Sequence, residues 1–115
     1  MCSRQQCIAI LTGAAPYLQK EYGVWSLRLF GSMARGDNRA DSDVDVWVDM
    51  PPKAFTVIAL KHYLQDLLGV AVDVVRLTPR LDKFLLDEIK RDGICIFTLY
   101  FYIIASFAMA RELYL

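Results

Sequence analysis

Leu29-Phe30-Gly31-Ser32-Met33-Ala34-Arg35-Gly36-Asp37-Asn38-Arg39-Ala40-Asp41-Ser42-Asp43-Val44-Asp45 is the stretch on which the fold turns. It is polar, punctuated by glycine and rich in carboxylates, in a chain whose grain is otherwise apolar. Before it, Val24 to Phe30 reads as a strand, with Trp25, Leu27 and Leu29 on one face and Ser26, Arg28 and Phe30 on the other. Gly31 ends that strand, and Gly31-Ser32 opens a short helix. After it, Val44 to Met50 is a second strand in which Val44, Val46 and Val48 alternate with Asp45, Trp47 and Asp49, stopped by Pro51-Pro52. No obvious full crossover helix joins the two strands, so an α/β fold with a mixed β-sheet flanked by helices is expected rather than a purely parallel one.

Outward from this centre, Ser3 to Tyr22 carries apolar residues at helical spacing, with Pro16 expected to bend or interrupt the helix and Gly23 to close it. Ala54 to Leu68 is an amphipathic helix ended by Gly69. Val70 to Leu77 is a third strand. Thr78 and Pro79 open another helix, in which Leu81, Phe84, Leu85 and Ile89 face inward and Gly93 is the stop. Ile94 to Phe97 is a buried strand by its β-branched and aromatic content. Residues 1–97 are thus expected to form one domain. Residues 98–115 form an apolar helix, packed on that domain or serving as a partner or homo-oligomer interface; the uncharged run is short for a membrane span.

At 115 residues there is room for one domain only. A content of 56% hydrophobic and 23% charged residues suits a chain with a buried core and argues against disorder. Basic and acidic residues both number 13, so no positive excess exists to hold a nucleic-acid backbone, and stable nucleic-acid binding is not expected. Cys2, Cys7 and Cys95 have no zinc-clamp spacing and read as thiols of a reducing compartment. The N-terminus lacks the pattern of a secretory signal, so a cytoplasmic location is expected.

The chemistry lies in the carboxylates. Strand geometry repeats every two residues, which puts Asp43 and Asp45 on one side of the second strand. Asp73 interrupts the apolar run Ala71-Val72-Asp73-Val74-Val75 of the third. If those strands pair, three carboxylates converge, and their mutual repulsion demands a cation. All-oxygen ligation suits Mg²⁺, and an Asp-x-Asp with a third Asp suggests two ions acting on a phosphoryl group. Gly31 and Ser32 could receive a phosphate tail. The loop is neither a Walker A motif nor a dinucleotide fingerprint.

Gly31-Ser32, ten intervening residues and Asp43-Val44-Asp45 together resemble the GSx10DxD signature of the polymerase-β-like nucleotidyltransferase superfamily. The short length, Arg35-Gly36 and Ser42 look most like its minimal nucleotidyltransferase (MNT) group, whose members include antitoxins encoded beside HEPN-domain toxins of the HepT kind. The resemblance runs from about Val24 to Phe97. It implies a polymerase-β-like mixed sheet, Mg²⁺-dependent use of ATP, and transfer of AMP to a tyrosine of a HEPN ribonuclease toxin, which silences it. It also implies that Asp43 and Asp45 are the metal-binding pair. Asp73 would be the third carboxylate, binding metal and deprotonating the acceptor. Gly31 and Ser32 would be the phosphate-holding turn, with Arg35 the nearest phosphate contact because Met33 stands where many relatives carry Arg. The apolar tail lies outside the shared pattern.

Each residue also has a plainer reading. Asp43 could solvate a strand end, Asp45 and Asp73 could be exposed strand positions, and Arg35 could pair with Asp37. Asp41 and Asp49 read as solvated charges, and His62 as an exposed helix residue. The Tyr100-Phe101-Tyr102 cluster reads as packing, with self-modification of a tyrosine as the other option. Two other functions stay open at this point: an antitoxin that neutralises by binding alone with a degenerate site, and a small-molecule nucleotidyltransferase of the aminoglycoside-modifying type.

Overall fold

Ser3 starts the first helix. Its Oγ accepts the Gln6 backbone N–H at 3.2 Å while Gln6 Oε1 accepts the Ser3 N–H at 3.0 Å, a reciprocal capping box. The computed structural model describes residues 3–39, 42–76, 78 and 83–98. Helix α1 (Arg4–Tyr22) runs unbroken through Pro16, contrary to the expected interruption. The proline sits on the exposed side, as does Thr12, whose carbonyl loses its helical donor and can turn to water instead. Gly23 ends the helix in the left-handed conformation at φ 66°.

The chain continues as β1 (Ser26–Phe30), α2 (Gly31–Arg35), β2 (Val44–Asp49), α3 (Ala54–Leu68), β3 (Val72–Arg76), α4 (Lys83–Asp92) and β4 (Ile94–Thr98). The four strands lie in the order β3-β2-β1-β4. β1 pairs antiparallel with both β2 and β4, whereas β2 and β3 are parallel and joined by α3. This is the mixed sheet expected from the lack of a helix-sized crossover between β1 and β2.

One face of the sheet is the core. Leu27 and Leu29 of β1 are in register with Val48 and Val46 of β2, and all four are fully buried. Cys7, Leu11 and Leu18 of α1, with Leu60, Leu64 and Leu68 of α3, complete the same cluster. Their spacings of four or seven positions keep each set on one side of its helix. Burial of each such side chain contributes about 1.5–3 kcal/mol. The two helices thus cover the core face of the sheet, which leaves Ser26, Arg28, Phe30, Asp45, Trp47 and Asp49 on the other.

Three expectations fail at particular residues. Trp25 precedes β1 and is 39% exposed rather than sharing the buried face of Leu27 and Leu29; its backbone N–H donates to the Asp49 carbonyl at 2.8 Å. Phe84 is 81% exposed, so the inward face of α4 does not include it. Asp49, read as a solvated charge, is buried. Leu81 and the tail from residue 99 onward, including Tyr100 and Tyr102, lie outside the described residues. Among the described residues no helix is long and apolar enough to cross a membrane.

Candidate active site

β1 delivers the chain to Gly31 at the rim of the sheet. Gly31 adopts φ 73°, which turns the backbone straight into α2, and Gly36 at φ 82° closes that single turn by donating to the Ser32 carbonyl at 2.9 Å. Phe30 is in register with Asp45, and Asp45 with Asp73. These three residues therefore form one row across β1, β2 and β3, on the face that carries no core.

Gly31 and Asp45 are fitted to each other. A Cβ on Gly31 would collide with Asp45 Oδ2 and stand 3.2 Å from Asp45 Cγ. Only glycine lets this carboxylate lie against the turn. Asp45 is half-buried there, whereas Asp73, on the edge strand, is exposed. Asp43 is exposed just before β2, two residues before Asp45. The Val44 N–H donates to the Ala71 carbonyl at 2.9 Å, which fixes how this end of β2 meets the start of β3.

Asp45 and Asp73 thus come together as the parallel pairing required, but the expected convergence of all three carboxylates is not closed. Among the described residues no three His, Cys, Asp or Glu side chains approach closely enough to hold a metal ion. Carboxylates on neighbouring positions of one face repel one another, and a bound cation would offset that repulsion. The donor set still fits Mg²⁺, a hard ion that takes one or two carboxylates and fills its remaining positions with water and phosphate oxygens. Asp45 and Asp73, register partners on β2 and β3, are the residues that would supply that pair, with Asp43 two residues before Asp45.

The other candidates separate. Ser32 is half-buried in the turn beside Gly31. Arg35 Nε donates to Asp37 Oδ2 at 3.1 Å, and both are exposed, so the plainer pairing is present. Met33 is buried in the core cluster, so its side chain is not directed at the carboxylates. His62 is exposed, as expected. On the same face, two positions along the strands, the Arg28 guanidinium lies 5.6 Å from the centre of the Trp47 ring.

Sequence reasoning missed one participant. A cavity of about 380 Å³ adjoins the paired carboxylates, lined by Phe30, Asp45 and Asp73 and, from α3, by Val57, Ile58 and Lys61. A single lysine on an amphipathic helix reads as solvated. The signal that could have found it is its position one turn after Ile58 on the helix that connects the two carboxylate strands.

Comparison with known proteins agrees with this fold. Residues 14–99 match the family model described as polymerase beta, nucleotidyltransferase. The protein adenylyltransferase MntA of Thermococcus cleftensis is 39% identical over 77 residues, covering 65% of this chain and 78% of that protein. Two solved structures share the fold. A toxin-antitoxin crystal structure with AMP-PNP superposes with a TM-score of 0.64 at 19% identity, over 89% of this chain and 88% of the other. A complex of tri-AMPylated Shewanella oneidensis HEPN toxin with its MNT antitoxin superposes with a TM-score of 0.59 at 17% identity, over 92% and 88%. Since the family model spans the sheet, the Gly31 turn and both carboxylate strands together, the chain belongs to the polymerase-β nucleotidyltransferase family.

Proposed function

We propose that the chain is an antitoxin that works as a Mg²⁺-dependent protein adenylyltransferase in the cytoplasm, moving AMP from ATP to a tyrosine of a cognate HEPN ribonuclease toxin of the HepT kind. The observation that carries the reading is the register pairing of Asp45 with Asp73 beside the Gly31 turn. The 39% identical relative is a protein adenylyltransferase, and the two structural neighbours were solved with an ATP analogue and with an AMPylated HEPN partner.

In this reading Gly31 and Ser32 hold the triphosphate through the turn's backbone and the serine hydroxyl, and Arg35 exchanges its Asp37 contact for phosphate. Asp43, Asp45 and Asp73 are the residues that would hold Mg²⁺. When bound, the ion supplies positive charge against the phosphate oxygens and offsets the repulsion among the carboxylates. The acceptor tyrosine oxygen bonds to the α-phosphorus, the bond from that phosphorus to the bridging oxygen breaks, and pyrophosphate leaves. Asp73 accepts the phenolic proton, since it stands at the exposed edge where an acceptor can reach it. Positioning and charge neutralisation account for most of the acceleration.

The test is incubation of the purified chain with α-labelled ATP, Mg²⁺ and the cognate HEPN protein. Label is expected on a tyrosine of that protein, and none with Asp43→Ala or Asp45→Ala chains that remain folded. Full labelling by either variant refutes the assignment.

A further inference from the structure

The line from the Gly31 turn through Asp45 to Asp73 has a direction. An in-line displacement at phosphorus requires the acceptor to enter opposite the leaving pyrophosphate. With the triphosphate held at Gly31 and Ser32 on one side of Asp45, the acceptor comes from the side of β3 and α3. The cavity of about 380 Å³ extends there, from Asp45 and Asp73 to Val57, Ile58 and Lys61 of α3.

Its chemistry is divided. Phe30, Val57 and Ile58 make apolar walls, and the Lys61 ammonium is the cation among the residues lining it. Among the described residues Lys61 makes no hydrogen bond or ion pair, although it is half-buried. A tyrosine side chain has the matching division, an apolar ring with one polar tip. The mouth is suited to a protein-borne tyrosine. Phe55 is 89% exposed and Ile58 51% exposed, and a spacing of three residues puts them side by side on α3.

We infer that this cavity seats the acceptor tyrosine of the partner, with Lys61 meeting its hydroxyl and the Phe55–Ile58 face of α3 carrying the partner's surrounding surface. The inference rests on the adenylyl-transfer reading and adds to it the place and the residue that select the acceptor. Lys61 then contributes to acceptor affinity and not to nucleotide affinity.

The experiment uses the full chain, Mg·ATP and the purified cognate HEPN protein, comparing wild type with Lys61→Met, which keeps the aliphatic stem, and with Phe55→Ser, which touches a residue too exposed to be needed for folding. Both variants are expected to raise KM for the partner by about tenfold, a loss typical of a single good interface contact. Lys61→Arg should recover much of the loss. The rise in melting temperature produced by Mg²⁺ with AMP-PNP should match wild type in both variants. A Lys61→Met chain that loses this nucleotide-induced rise while keeping its KM for the partner overturns the inference, as does an unchanged KM in both variants. A wild-type chain that labels no partner instead overturns the adenylyl-transfer reading, and the inference with it.

Discussion

Asp45 and Asp73 are register partners on adjacent parallel strands, so two carboxylates occupy neighbouring positions on one face of the sheet. Strands lie about 4.8 Å apart, and like charges placed opposite one another destabilise a sheet by about 0.2–1 kcal/mol. Replacing one of them should therefore strengthen the fold. Asp73→Asn is expected to gain stability of that order in urea unfolding without Mg²⁺, and to lose about 100-fold or more in AMP transfer if Asp73 takes the acceptor's proton as proposed. A variant less stable than wild type would show that the pair is not repulsive in the free protein.

The same repulsion makes ligand binding visible as stability. In the proposed function Mg²⁺ with a nonhydrolysable ATP analogue would bind the folded chain alone, and at 100 times the dissociation constant such binding contributes about 2.7 kcal/mol. A rise in melting temperature is expected for wild type, and no rise for Asp45→Asn. Differential scanning fluorimetry decides the matter, and equal shifts in the two proteins would remove Asp45 from the ligand set.

Gly31→Ala tests the turn. A non-glycine residue at φ 73° costs about 1–2 kcal/mol, and the added methyl group would also displace the Asp45 carboxylate. The variant should be less stable than wild type by at least that amount and as inactive as Asp45→Asn. Gly36→Ala shares the left-handed strain, but the nearest atom to its added Cβ is Arg4 Nη1 at 3.9 Å, so it should lose stability and keep most of its activity. Equal loss of transfer in both variants would mean that the Asp45 contact is irrelevant.

What the sequence made legible follows from local periodicity. The alternation in Val44 to Asp49 fixed both the strand and the side that its aspartates take, and the left-handed ends at Gly23 and Gly69 came from residue type alone. The pairing of Asp45 with Asp73 could only be conditional, because parallel register is set by how α3 returns the chain rather than by either strand. Non-local neighbours decided the misses. Asp49 sits in the same polar alternation as Asp45 but is register-paired with Ser26, whose Oγ is 3.0 Å from Thr98 Oγ1 of β4, and this end of the sheet is closed where the Asp45 end is open. Lys61 belongs to the site through the shape of a cavity, which no spacing rule on α3 encodes.

Asp49 gives the pH dependence. Burial pushes its carboxyl above the ordinary 3.8, and Arg76 only partly opposes this. An acid whose folded pKa is raised prefers its proton in the native state. Its stabilising contribution is therefore complete below the ordinary carboxyl range and is lost as pH rises through the raised value. Once ionised, Asp49 is a buried carboxylate carrying the cost of desolvation, with the Arg76 guanidinium, whose Nη1 also donates to the Met50 carbonyl at 3.5 Å, as its partial counterweight. Asp49→Asn retains the shape and removes the charge. Urea unfolding at pH 7 and at pH 3.5 should show the variant gaining on wild type at the higher pH relative to the lower. An identical difference between the two proteins at both values would mean that Asp49 titrates no differently folded than unfolded, and that Arg76 balances the burial in full.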